Sequence, residues 1–190
     1  MKSELIRKGI HILIAFVPVL AAVSRSNTAL LLMAGMLLYA GLEGLRFAGF
    51  TPPLFSAIIK HGERQREQGS FVLGPVTLGL GALLSLILFQ PAVAAVAVYT
   101  QAFGDTAATL TGKSIGRIRP CFMRGKSIEG SCACCVVTML ICFLIFRDWK
   151  TALATGIVAM LVELFSVQDF DNLLLPLAVG CTASLLSSLF

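Results

Sequence analysis

The sequence predicts an all-α fold: a polytopic helical membrane protein of about seven transmembrane helices with a cytoplasmic N-terminus. Three observations predict it. Of 190 residues, 57% are hydrophobic and 13% charged, and the mean hydropathy of +0.88 exceeds what burial in a soluble core requires. Apolar segments of a length suited to a hydrocarbon core of about 30 Å recur along the whole chain. The Lys and Arg residues between them are strongly biased to one side. Such a chain leaves no length for a separate soluble domain, so residues 1–190 are read as a single membrane-embedded domain whose chemistry lies in loops and helix ends.

Lys2, Arg7 and Lys8 precede the first apolar run, 9–24. That order superficially matches a signal peptide, but further spans follow at once and the run is read as a first anchor. Segments 28–45, 71–89 and 91–111 come next. Two shorter ones, 131–146 and 151–166, are separated by Arg147, Asp148, Trp149 and Lys150, and could either cross twice or form a re-entrant hairpin. Both alternatives leave the flanking loops on the same side. The last segment is 172–190. With the N-terminus inside, every Lys and Arg except Arg25, Arg147 and Lys150 is cytoplasmic, which sets an N-in, C-out orientation with loops 46–70, 112–130 and 167–171 inside. Acidic residues do not obey that rule, yet all but Asp148 fall on the same side. Glu43, Asp105, Glu163, Asp169 and Asp171 lie in or beside inner helix ends, where burial is costly without a partner or ion, and a cation-binding cavity open to the cytoplasm accounts for them.

Three polar motifs meet on that side. In the first, Gly104-Asp105 is followed by Gly112 and Gly116, and Asp105, Thr109, Gly112 and Gly116 share a helix face. A carboxylate above a smooth glycine track suits a phosphate chain with its magnesium; the alternative is a small-residue face for helix packing. Gly112-Lys113-Ser114 is no Walker A loop, because Ala107 stands where the first glycine belongs. The second motif is Lys126-Ser127-Ile128-Glu129-Gly130-Ser131, and with Lys113, Arg117, Arg119 and Arg124 it forms a cationic loop suited to a polyphosphate, or alternatively to anionic headgroups. The third is Glu163, inside an apolar segment, with Asp171-Asn172 and Pro176 opening the next. Glu163 reads as a metal ligand or general base, and Asn172 could equally cap a helix. Arg7, Lys8 and His11 share a face of the first helix, and Glu43 and Arg46 pair on the second. Snorkelling accounts for the cations, whereas His11 and Glu43 are candidates for the cavity wall.

Other classes recede. The basic residues form no stripe with interleaved aromatics, which argues against nucleic acid. The six cysteines include Cys132-Ala133-Cys134-Cys135, but too few further soft ligands exist for a closed zinc site, so they read as small apolar helix residues.

Taken together in order and spacing, Arg7-Lys8 with His11, Gly104-Asp105 with Gly112 and Gly116, Lys126 to Ser131, and Glu163 with Asp171-Asn172 and Pro176 resemble the dolichol kinase and phytol kinase family from end to end. The resemblance extends to the CTP-dependent diacylglycerol kinases of yeasts and, more distantly, to phosphatidate cytidylyltransferases, whose long carboxy-terminal signature this chain lacks. It implies magnesium-dependent transfer of a phosphoryl group from a nucleoside triphosphate, typically CTP, to the hydroxyl of a membrane lipid. It points to Asp105, Lys126 and Glu163 as catalytic residues and to Asp105, Glu129, Glu163, Asp171 and Asn172 as metal ligands. The nucleotide would be held by Gly104, Gly112, Lys113, Gly116, Arg117, Arg119, Arg124, Lys126, Ser127, Glu129 and Gly130. The alternatives are an enzyme that makes a CDP-lipid and, from a different class, a transporter. The expected location is a prokaryotic plasma membrane, with the site facing the cytoplasm.

Overall fold

The computed structural model describes residues 2–50, 70–120, 125–166 and 170–187, without the side chains of residues 2–6. The expectations attached to Lys60, Arg64, Arg66, Arg124 and Asp169 lie outside the described residues. The chain there is all helical. In order it forms α1 (Lys2–Ile12), a 3-10 turn (Leu13–Ala15), α2 (Phe16–Val23), α3 (Arg25–Phe47), α4 (Gly74–Leu88), α5 (Pro91–Tyr99), a π turn (Thr100–Gly104), α6 (Asp105–Ser114), α7 (Ile128–Phe146), α8 (Trp149–Phe165) and α9 (Asp171–Ser187). Two turns merely interrupt longer helical passes, so the elements match the seven apolar segments of the sequence. Two helices, α3 and α7, are individually long and apolar enough to cross a membrane.

Local chemistry explains the boundaries. Pro18 has no N–H for the carbonyl four residues back, and the 3-10 turn lies just ahead of it. Ser24 caps α3 by accepting from Asn27 N–H, Ser127 caps α7 through Gly130 N–H, and Asp148 caps α8 through Lys150 and Thr151 N–H. Between α7 and α8, Arg147 takes the left-handed conformation (φ 57°), giving a reversal of only two residues. Gly156 on α8 lets the two helices approach: a Cβ there would stand 2.3 Å from Met139 Cγ and 3.0 Å from the Cys135 carbonyl.

Helix ends sort into two sets. Arg25 donates to the carbonyls of Leu86 and Phe89, joining the start of α3 to the end of α4. At the opposite ends of the same helices, Tyr39 Oη donates to Val72 O at 3.0 Å. Phe89 also packs on Gly180 near the end of α9, while Asn172 at its start reaches Gly74 and Thr77 at the start of α4. One apolar core joins α2, α4, α5 and α9 around Val17, Leu86, Phe89, Val93 and Val98. A second joins α5 through α9 around Val96, Cys134, Ala159, Leu175 and Val179. Cys134 and Cys142 are packing residues in it, as the sequence suggests.

The surface of this bundle is apolar where a soluble protein's would be polar. Leu31, Leu37, Val136, Leu144 and Leu185 are exposed, whereas Lys8, His11, Glu43, Gln101, Asp105, Glu163 and Asn172 are buried.

Candidate functional site

All the buried acidic and basic side chains of the described residues except Glu43 gather at the helix ends formed by α1, α6, α8, α9 and the loop before α7. There, carboxylate oxygens of Asp105, Glu163 and Asp171 all lie within 4.8 Å of one another. Asp105 is placed by the π turn at the join of α5 and α6, a distortion frequent at functional sites. Lys8 Nζ donates to Asp105 Oδ2. His11 Nε2 stands 3.0 Å from the same oxygen and 3.1 Å from the Gln101 carbonyl, so two acceptors face it and Nε2 carries the ring proton. Thus α1 supplies two donors that orient one carboxylate.

Lys126 serves the other two. Its Nζ donates to Ser166 Oγ at 2.9 Å and to Asp171 Oδ2 at 3.2 Å, and it forms an ion pair with Glu163 Oε1 at 3.0 Å. Burial works against its charge, but Glu163 and then Asp171 outweigh that cost, and the pKa is raised above the ordinary lysine value. Glu163 Oε2, buried on the same carboxylate, has no hydrogen-bond partner among the described residues. Thr100 Oγ1, Gln101 Oε1 and Thr138 Oγ1 are likewise buried without one there, but Glu163 Oε2 is the carboxylate oxygen among them and lies beside two further carboxylates.

A cavity of about 120 Å³ opens onto the cluster, lined among others by Arg7, Lys8, Lys113, Arg119 and Lys126 against Asp105, Glu163 and Asp171. Its cations outnumber its carboxylates, which favours an anion together with a metal ion. The donor set fits a hard divalent cation: three carboxylates, oxygen only, one with an oxygen to spare. Asp105, Glu163 and Asp171 are the residues that would hold such an ion.

Several residues expected at the site stand elsewhere. Glu129 caps the preceding loop, accepting from Arg117 N–H at 2.9 Å and Ile118 N–H at 3.0 Å, and takes no part in the carboxylate cluster. Glu43 is fully buried away from the cavity, held by Arg46 at 2.6 Å and by Val72 N–H at 2.9 Å. Asn172 lines the cavity, but its amide donates to Gly74 O and Thr77 Oγ, each at 3.3 Å. The glycine track is largely a packing notch. A Cβ on Gly116 would stand 2.5 Å from Ser127 Oγ, one on Gly112 2.8 Å from it, and one on Gly104 3.2 Å from Cys134 Sγ. Gly112, Ser127 and Gly130 also line the cavity, whereas Gly104, Gly116 and Arg117 do not. Arg119 donates to the carbonyls of Gly125 and Gly112, fastening the cationic loop to α6.

Three contributors are not singled out by sequence patterning: Ser166, Lys8 as the partner of Asp105, and Gln101. The last has a traceable cause. Pro176 has no N–H for the Asn172 carbonyl, and Gln101 Nε2 donates to that carbonyl at 2.6 Å. Gly81 makes room, since a Cβ there would lie 2.3 Å from the Asn172 oxygen and 2.8 Å from Gln101 Nε2. A proline in one helix thereby locks α9 to the residue whose own carbonyl receives His11. Comparisons with protein-family models, curated proteins and solved structures return no match for this chain.

Proposed function

We propose that the protein is a multi-pass membrane lipid-alcohol kinase, transferring the terminal phosphate of a nucleoside triphosphate, with CTP the expected donor, to the hydroxyl of a polyprenol, phytol-like isoprenoid or diacylglycerol. The observation that carries this reading is the Asp105, Glu163 and Asp171 cluster with its orphaned Glu163 Oε2, set in a cation-rich cavity. The apolar side chains exposed on the bundle support membrane embedding; seven crossings, an N-terminus in the cytoplasm, argued from the one-sided Lys and Arg, and a prokaryotic plasma membrane belong to the proposal.

Magnesium would be held by Asp105, Glu163 and Asp171, and when bound it supplies charge neutralisation for the phosphates. The remaining work falls to the chain. Lys8 and His11 fix the Asp105 carboxylate. Lys126, hinged between Glu163 and Asp171, exchanges one of these for a phosphoryl oxygen, with Lys113 and Arg7 at the cavity wall adding positive charge. A new bond forms between the lipid oxygen and the terminal phosphorus as the bridging oxygen leaves with its electron pair in the nucleoside diphosphate. The hydroxyl proton passes to a carboxylate, for which Glu163 is best placed. The cavity accommodates the phosphates, and the nucleoside extends beyond its walls.

Purified protein supplied with labelled CTP, magnesium and a panel of lipid alcohols is expected to yield CDP and a lipid phosphate. Pyrophosphate with a CDP-lipid would replace this reading by a cytidylyltransferase, and intact nucleotide with every alcohol would remove it.

A further inference from the structure

Besides the polar cavity, the same end of the bundle carries an apolar groove of about 360 Å³ between α8 and α9, walled by Leu161, Val162, Phe165, Leu174 and Ala178 and closed by Ser166. Leu161, Phe165 and Leu174 are exposed, so it is open along the side of the bundle. Its one polar terminus is buried: Ser166 is 7% exposed. The hydroxyl there is continuous with the polar site, because Ser166 Oγ accepts from Lys126 Nζ at 2.9 Å and that ammonium group also touches Glu163 and Asp171.

The geometry points to this groove as the lateral portal for a single-chain lipid alcohol, whose aliphatic tail lies between α8 and α9 and whose hydroxyl is presented by Ser166 to Lys126 and the carboxylates. This rests on the lipid-alcohol kinase reading and specifies where its acceptor binds. The choice of occupant follows from the walls. Apart from Ser166 they offer nothing but hydrocarbon, which suits an aliphatic tail and excludes a charged ligand. Beside the groove the two helices share one buried core, with Ala159 from α8 and Leu175 from α9, and the single small hydroxyl at the groove's end suits one alcohol chain. Ser166 has the valence its role needs: having accepted one hydrogen from Lys126, it retains a lone pair and its own hydrogen for an incoming hydroxyl. Ala178 leaves the space that a larger side chain would fill.

The test pairs a functional and a physical readout on the full-length protein in lipid nanodiscs. Ala178→Trp, or Leu161→Trp on the facing wall, is expected to raise KM for a long-chain isoprenoid alcohol at least tenfold. Turnover with a short water-soluble alcohol, which needs no groove, should change less than twofold. A long-chain alcohol carrying a diazirine in its tail should label peptides spanning 161–178 in the wild type and lose most of that labelling in Ala178→Trp. Unchanged KM in both folded variants, or labelling concentrated in the separate apolar groove between α7 and α8, lined by Val136, Leu140, Trp149 and Leu153, would overturn the portal. If wild-type protein phosphorylates no alcohol, short or long, the kinase reading fails on its own. The photolabel then decides the groove: label within 161–178 sustains it and label elsewhere removes it.

Discussion

Glu43 and Glu163 are both carboxylates buried between helices, and the protein treats them in opposite ways. Both oxygens of Glu43 are committed, to Arg46 Nε at 2.8 Å, Arg46 Nη2 at 2.6 Å and Val72 N–H at 2.9 Å. Arg46 also donates to Ser70 O, so the pair fastens the end of α3 to the segment leading into α4. Glu163 has one oxygen paired with Lys126 and the other without a hydrogen-bond partner among the described residues, with two more carboxylates within 4.8 Å. A closed carboxylate of the first kind is a structural staple, and an open one of the second is a place for a ligand. Burial and charge alone do not separate them; the count of satisfied lone pairs does.

The comparison can be pressed from either side. Glu163→Gln, at the open cluster, should lower phosphate transfer about 10²–10³-fold, the scale for losing one preorganised charge, with the thermal midpoint nearly unchanged, whereas Asp105→Asn should lower both, because it leaves the buried Lys8 ammonium without its carboxylate. Glu43→Ala should do the reverse of Glu163→Gln. Loss of charge-assisted bonds at a buried site costs about 2–3 kcal/mol, read as a lower denaturation midpoint, while turnover per folded molecule stays within twofold. A large activity loss in Glu43→Ala with full stability would erase the distinction.

Smaller effects sharpen it. Glu129→Gln removes the charge that gathers Arg117 and Ile118 N–H without touching the cluster, and should raise KM for nucleotide severalfold with little change in kcat. At the far end, Asp148 caps α8, and the Thr151 hydroxyl, with the backbone N–H groups of Thr151 and Lys150, holds its carboxyl below the usual range. A lowered carboxyl pKa stabilises the folded state above the ordinary aspartate pKa and loses that contribution as pH falls through the lowered value. The difference in thermal midpoint between wild type and Asp148→Ala should therefore be present at neutral pH and shrink in acid, and activity should be unaffected throughout.

Much of this was legible from residue order. The seven apolar segments correspond to helices, or to helices interrupted by one short turn, among the described residues, because apolar runs are a local property. Three of the motif residues, Asp105, Glu163 and Asp171, meet as expected, since carboxylates inside apolar segments have few other reasons to be there. The structure departs from the residue pattern, or decides between its alternatives, where one residue type serves two purposes. Glu43 resembles Glu163 in sequence, and its bond from the Val72 backbone N–H leaves no trace in the pattern. Gly116 reads as smooth surface for a phosphate, yet its missing Cβ makes room for Ser127 Oγ. Glu129 sits in a motif with Lys126, but being three residues further along, in the first turn of α7, it turns toward the loop it caps. Ser166 and Gln101 depend on which helices become neighbours, and one polar residue in an apolar stretch does not reveal its neighbour.

We propose that Asp105, Glu163 and Asp171 hold a divalent cation and that Glu43 does not. Binding of Mn²⁺ as a spectroscopic stand-in for Mg²⁺, measured by electron paramagnetic resonance on purified protein, tests it directly. The account predicts one saturable site in wild type, retained in Glu43→Gln and weakened at least tenfold in Glu163→Gln and in Asp105→Asn. Equal Mn²⁺ binding by all four proteins, or loss confined to Glu43→Gln, would contradict it.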